Sequence, residues 1–271
     1  MTAGLAALAL AASPALWLGP RPPRPVTRLV TVAPSLTETV LALGAGETLV
    51  GVSRFDEAPE VRALPRVGGF VDPSVEAILA LAPQLVVVQK SPGNQRPIET
   101  LAARGVPVLA LPLTSVADTA DALVTLGELL GREAQARALV KALADARASQ
   151  RSLAPKRPAR VLFVYGFSPL VVAGPGSFAA ELLDDCGAAN VAHAATTAYP
   201  VWSLEQLLAA PPEVLVDAAD TPKGRDALRA LLPRTRWVTL ADKDLLHPGP
   251  ALARALPPLC AALRDRRATS P

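Results

Sequence analysis

The sequence predicts two doubly wound α/β lobes bridged by a single long α-helix, with a ligand cleft between the lobes. Three observations carry this. Short β-branched runs alternate with Ala/Leu-rich stretches on either side of the middle of the chain. The middle holds a run from Arg132 to about Leu153 with no Gly or Pro in it. One segment of the first half also recurs without gaps in the second: residues 75–88 (VEAILALAPQLVVV) align on residues 204–217 (LEQLLAAPPEVLVD), pairing Glu76 with Glu205 and Pro83 with Pro212.

The composition bounds the rest. At roughly 150 residues per domain, 271 residues hold one large domain or two small ones. With 51% hydrophobic and 19% charged residues the chain can bury a core, unlike a disordered polymer. A net charge of +3 is too small for an electrostatic nucleic-acid footprint. Two His and two Cys exclude a metal cage rich in either residue. The 28 Pro belong to loops and helix starts.

Residues 1–25 read as a signal segment and linker. The apolar run from Leu5 to Leu18 is short for a membrane span and suits a signal core, with small residues at Ala9 and Ala11, or at Ser13 and Ala15, for cleavage. Met1 to Gly4 carry no Lys or Arg, so a plain apolar extension stays open. No Cys follows the run before Cys186, which points to a soluble exported protein and not a lipoprotein. Export favours a disulfide between Cys186 and Cys260, tying a helix end to the C-terminal helix; in the cytosol the two would be small buried hydrophobes.

The N-terminal lobe spans 26–131. Arg28 to Val32 is a strand, and Ser35 to Glu38 reads as a capping box opening a helix to Leu43, stopped by Gly44. A strand from Leu49 to Val52 follows, then a helix opened by Asp72 and Pro73 and ended before Pro83. Leu85 to Val88 is a buried strand, Pro97 to Arg104 a helix, Val108 to Leu111 a strand and Ser115 to Leu130 a helix. The bridging helix and linker span 132–157; about 20 residues at 1.5 Å each make a rod of roughly 30 Å. In the C-terminal lobe, 158–271, strands are expected near 161–164, 170–173, 214–216 and 237–240. A weaker echo pairs Glu38, Gly44 and Ala45 with Glu181, Gly187 and Ala188.

Known catalytic and nucleotide motifs are missing, including the dinucleotide fingerprint, the phosphate loop, the zinc-protease pair and the nucleophile elbow. An enzyme on a doubly wound scaffold is therefore only the alternative from another class, and the chain reads as a non-enzyme. The Gly-rich loop from Ala173 to Phe178 either accepts an anion or simply turns into a helix. Ligands of parallel α/β sheets lie beyond the carboxyl ends of strands. Phe55, Phe70, Tyr165, Tyr199 and Trp202 fall in such loops, so they are expected to line the cleft, or each to pack under its own loop. His193 and His247 are the only imidazoles, and His247 is a possible axial ligand for a bound haem or cobalt. Glu76 and Glu205 stand in first helical turns, where a carboxylate either complements the helix dipole or, one per lobe, grips a two-fold partner.

Several blocks resemble the periplasmic substrate-binding proteins of ABC importers for cobalamin, siderophores and haem. Residues 28–38 read RLVTVAPSLTE, 43–46 LGAG, 50–53 VGVS, 67–76 VGGFVDPSVE and 202–205 WSLE. The likeness runs from about Thr27 to Arg264 and is strongest to the cobalamin-binding members. It implies a monomeric periplasmic carrier with no cofactor of its own and cobalamin or a related corrinoid as its transported ligand. It also implies docking on the permease dimer through Glu76 and Glu205, and a cysteine pair comparable to Cys186 and Cys260. The chain departs from the cobalamin-binding pattern at Gln89 to Ser91 and around Asp244 and His247. Haem or a ferric siderophore is thus the alternative ligand, with Tyr165, Tyr199 and His247 as ligand types.

Overall fold

The structure is a computed structural model and describes residues 15–219, 221–239 and 245–265. The first sheet contains β1 (Leu16–Leu18), β2 (Leu29–Thr31), β3 (Leu49–Gly51), β4 (Leu85–Gln89) and β5 (Val108–Leu111), in the spatial order β1-β5-β4-β2-β3. All its pairings are parallel except β1 with β5. Helices α1 (Pro34–Ala42), α2 (Val75–Ala80), α3 (Gln95–Ala103) and α4 (Val116–Leu130) connect and cover it. The strands are nearly unbroken runs of Val and Leu because helices bury both faces.

The long helix α5 (Glu133–Ser152) follows. The second sheet contains β6 (Arg160–Phe167), β7 (Leu170–Val172), β8 (Ala189–Asn190), β9 (Val214–Asp217) and β10 (Arg236–Thr239), ordered β10-β9-β6-β7, with β8 also paired to β6. Helices α6 (Phe178–Asp185), α7 (Leu204–Ala209), α8 (Arg225–Leu231) and α9 (Leu252–Arg264) pack around it. Helix α5 belongs to both cores. Ala136 joins the first, while Leu143, about two turns further on, joins the second. Near its C-terminal end, Arg147 and Arg151 donate to the fully buried Asp185 of α6 at 2.5 Å each, and Arg147 also reaches Glu181 at 3.0 Å. From α9, Arg264 donates to Gln150. Cys186 and Cys260 form a disulfide between the end of α6 and α9.

The two halves of the predicted repeat fold alike. Six-residue α2 and α7 each start after a serine cap, Ser74 and Ser203, and each leads to a buried strand. The weaker echo is structural as well: Gly44 and Gly187 adopt φ of +69° and +70°, left-handed values at the ends of α1 and α6 that suit glycine.

Three local expectations are corrected. Leu16–Leu18, placed by sequence in the apolar signal run, is an edge strand whose Trp17 packs on the first core under the Arg21 guanidinium. A three-residue apolar run looks the same in either role. Residues 1–14, the rest of that segment, lie outside the described residues. Ser35 caps nothing: Pro34 starts α1 one residue earlier, Ala33 is the cap position, and Glu38 is released from a capping box. Asp72 does not open α2 either, because Arg54 takes its carboxylate and Ser74 accepts the Ala77 N–H instead.

Candidate functional site

A cavity of about 790 Å³ opens between the lobes. Its walls come from the carboxyl ends of parallel strands, where helix dipoles and loops converge. Ala33 to Ser35 follow β2, Arg54 to Ala58 follow β3, and Gln89 ends β4. The second lobe supplies Tyr165 of β6, Ala218 after β9, Phe178 at the start of α6, and Leu246 to Pro248 ahead of α9.

Four of the five aromatics expected in the cleft are there. Phe55 and Phe70 face it from the first lobe, 50% and 36% exposed. The Arg54 guanidinium lies 4.9 Å from the Phe55 ring centre and binds both carboxylate oxygens of Asp72, which fixes the loop. That guanidinium holds the Asp72 carboxyl below its ordinary value. Gly69 is required here, since a Cβ would come within 2.7 Å of the Phe55 ring. Across the cavity Tyr165 packs edge-on to Tyr199 at 5.4 Å and against Phe178 at 6.0 Å. Burial, with the Tyr199 charge second, pushes the Tyr165 phenol well up; partial burial, with Asp118 second, pushes Tyr199 up to about 12. Both phenols therefore keep their protons at neutral pH.

Trp202 is the exception. Its side chain packs on the core of the second lobe, and its backbone N–H donates to the Leu170 carbonyl. It lies three residues beyond Tyr199 in an extended segment, and an odd spacing there puts side chains on opposite faces. The Gly-rich loop is a turn into α6: the Ser177 hydroxyl accepts the Ala180 N–H, and Gly174 sits against Thr197 and Pro200.

The polar wall was largely missed by sequence. His247 lines the cavity as expected, and its Nε2 stands 3.5 Å from Oε1 of Glu38, one residue from each lobe. Asp56, Glu57 and Gln89 also line it. The signal that finds the aromatics, a position just past a strand, would have found Asp56, Glu57 and Gln89; Glu38 was hidden by the apparent capping box. Burial raises the Asp56 carboxyl above its ordinary value, opposed by the hydroxyls of Ser53 and Thr37, the Ser53 backbone and then Arg66. His193 lies on the surface with Nδ1 at 3.0 Å from the Asn190 carbonyl, away from the cavity. Among the described residues no group of three or more His, Cys, Asp or Glu is gathered for a metal. Asp244 lies outside the described residues.

Glu76 and Glu205 are exposed, each two residues after its serine cap, in equivalent places on the two lobes. Among the described residues no helix is long and apolar enough to cross a membrane.

A cleft between two α/β lobes, bridged by one helix and lined by aromatics from both sides, defines a small-molecule binding protein. The chain belongs to the periplasmic binding protein family, whose model matches residues 29–231. It is 28% identical over 242 residues to the vitamin B12-binding protein of Photorhabdus laumondii, covering 88% of each chain. To that of Salmonella paratyphi A it is 31% identical over 205 residues, 75% of this chain and 74% of the other. Among solved structures, the periplasmic vitamin B12 binding protein BtuF of Vibrio cholerae superposes with a TM-score of 0.73 at 25% identity, over 89% of this chain and 97% of that one. A periplasmic heme binding protein from Pseudomonas aeruginosa gives 0.75 at 30% identity, over 88% and 92%.

Proposed function

We propose that this chain is an exported, monomeric solute-binding protein that captures cobalamin or a related corrinoid between its lobes and delivers it to an ABC importer. The observation that carries this reading is the cavity between Phe55 and Phe70 on one side and Tyr165 and Tyr199 on the other. Its volume of about 790 Å³ is within the roughly 300–1,000 Å³ of small-molecule sites. Aromatic faces on opposite walls suit a broad, flat, partly apolar macrocycle, and burial of its surface would supply most of the affinity. The B12-binding relatives point the same way. The reading is of binding and not catalysis, in keeping with a family of binding proteins. A removable leader would end at or before Ala15, because Leu16 begins a strand of the first sheet.

The permease would be gripped through Glu76 and Glu205, one carboxylate per lobe, matched to cationic side chains of a two-fold partner. Each follows a serine whose hydroxyl accepts the N–H three residues on, Ala77 or Gln206, and this shared placement supports an equivalent role on both lobes.

The second reading is a haem carrier, favoured by the haem-binding structural relatives and by His247 on the cavity wall. Phenolate ligation by Tyr165 or Tyr199 works against the burial that keeps both protonated. Ligation by His247 would have to draw Nε2 away from Glu38. Titration with cyanocobalamin and with haemin separates the two. Quenching of Trp fluorescence by micromolar corrinoid supports the first reading, and no binding up to high micromolar corrinoid removes it. A Soret band lost in His247→Ala establishes the second.

A further inference from the structure

Asp56 lines the cavity and is only 6% exposed, yet its Oδ2 has no hydrogen-bond partner among the described residues. Native proteins leave few buried polar atoms unpaired, and each one calls for a cause. The loop around it is well determined. The Asp56 N–H donates to the Ser53 carbonyl, the Phe55 N–H donates to the Ser53 hydroxyl, and Arg66 donates to the same Ser53 carbonyl. The Ser53 and Thr37 hydroxyls also bond to this carboxyl, so the remaining oxygen, Oδ2, is held in place beside Phe55, which itself faces the cavity.

The charges around it restrict what can complete it. Glu38, Asp56 and Glu57 are the acids of the described wall, and Arg54 and His247 its cationic types. Arg54 is engaged by both oxygens of Asp72, and His247 faces Glu38. A carboxylate on a ligand would meet three acids, an Arg54 paired through Nη2 with Asp72, and an imidazole that faces Glu38. A primary carboxamide differs, since it carries two N–H donors and a carbonyl acceptor. It satisfies the Asp56 carboxyl whether that group is ionised or protonated. A carboxylate, which only accepts, satisfies it only when protonated.

We propose that Asp56 is a specificity-determining residue of the cavity, pairing with a peripheral carboxamide of the bound macrocycle and rejecting a carboxylate at that place. The assignment rests on the corrinoid reading and deepens it: the selected ligand is an amide-decorated macrocycle, not an acid-decorated one. A site built to bond a polar group discriminates strongly against an analogue that leaves it unpaired.

The test measures dissociation constants of wild type, Asp56→Asn and Asp56→Ala for cyanocobalamin, for each separated monocarboxylate made by hydrolysing one peripheral carboxamide, and for haemin. Wild type is expected to bind cyanocobalamin about tenfold or more tighter than at least one monocarboxylate. In Asp56→Asn that ratio is expected to fall to about threefold or less, because the Asn amide can donate to the carboxylate. In Asp56→Ala the affinity for cyanocobalamin itself drops. Thermal unfolding verifies that each variant is folded, and the near-isosteric Asn variant keeps the test valid if Ala collapses the loop. A ratio unchanged for every isomer in the variants overturns the assignment while leaving corrinoid binding intact. Wild type that binds haemin as tightly as cyanocobalamin also overturns it. Wild type that binds no corrinoid overturns the proposed function, and this assignment with it.

Discussion

At Asp56, desolvation raises the carboxyl above its ordinary value, and the Ser53 and Thr37 hydroxyls only partly offset that. An acid whose pKa is higher folded than unfolded binds more protons in the native state. Its contribution to stability is present below the unfolded pKa and is lost as the pH rises through the folded value. Asn does not ionise. Asp56→Asn should therefore melt above wild type at pH 7, with the gap narrowing as the pH falls toward about 4; scanning calorimetry across that range measures it. A variant that melts below wild type at pH 7 would mean the hydroxyl hydrogen bonds outweigh burial. The expected outcome, Asp56→Asn melting above wild type, means instead that the binding wall holds a group that weakens the empty protein, a common compromise at recognition sites. The aromatics of this wall were readable from their places after strands. Asp56 was not, because its burial and its unpaired oxygen arise from residues 37, 53 and 66 packing around it.

Among the elements, α5, α6 and α9 form the joint between bridge and second lobe. The Cys186–Cys260 bond closes a loop with a sequence separation of 74. Loop-closure entropy for that length is worth about 4 kcal/mol. The double variant Cys186→Ser, Cys260→Ser should lose stability of that order in urea unfolding, with ligand affinity changed little because neither residue lines the cavity. A loss below about 1 kcal/mol would show that the Asp185 network and core packing hold the joint without the bond. Helix α5 was legible because a run without Gly or Pro has one cheap conformation. Its partners were not. That Arg147 and Arg151 meet at Asp185, 34 or more residues away, depends on how α6 lies against α5.

For the whole molecule, the anchoring of α5 in both cores limits how far the lobes can part. The affinity is then expected to come from a nearly preformed cleft, and delivery to depend on the face proposed to dock through Glu76 and Glu205. Glu76→Lys with Glu205→Lys should abolish uptake in cells and leave the dissociation constant of the purified protein unchanged within about twofold. Both side chains are exposed and outside the cavity, so unaltered uptake would end the docking role proposed for them. The Glu38–His247 pair crosses the cleft, joining a helix of the first lobe to the segment ahead of the last. Nothing in either local sequence marks it, since the two residues lie far apart in the chain.

The sequence by itself determined the two α/β lobes, the bridging helix, the repeat that places Glu76 and Glu205 alike, and the aromatic character of the cleft. These follow from period, capping and strand-end position, which are local properties of a chain. Only the tertiary structure decided that Leu16–Leu18 is an edge strand, that Trp202 turns into the core, and that Glu38 leaves its helix start for His247. It also decided that Asp56 is buried at the wall with an oxygen to spare. Each of these depends on which distant residues meet, and a local pattern carries no information about that.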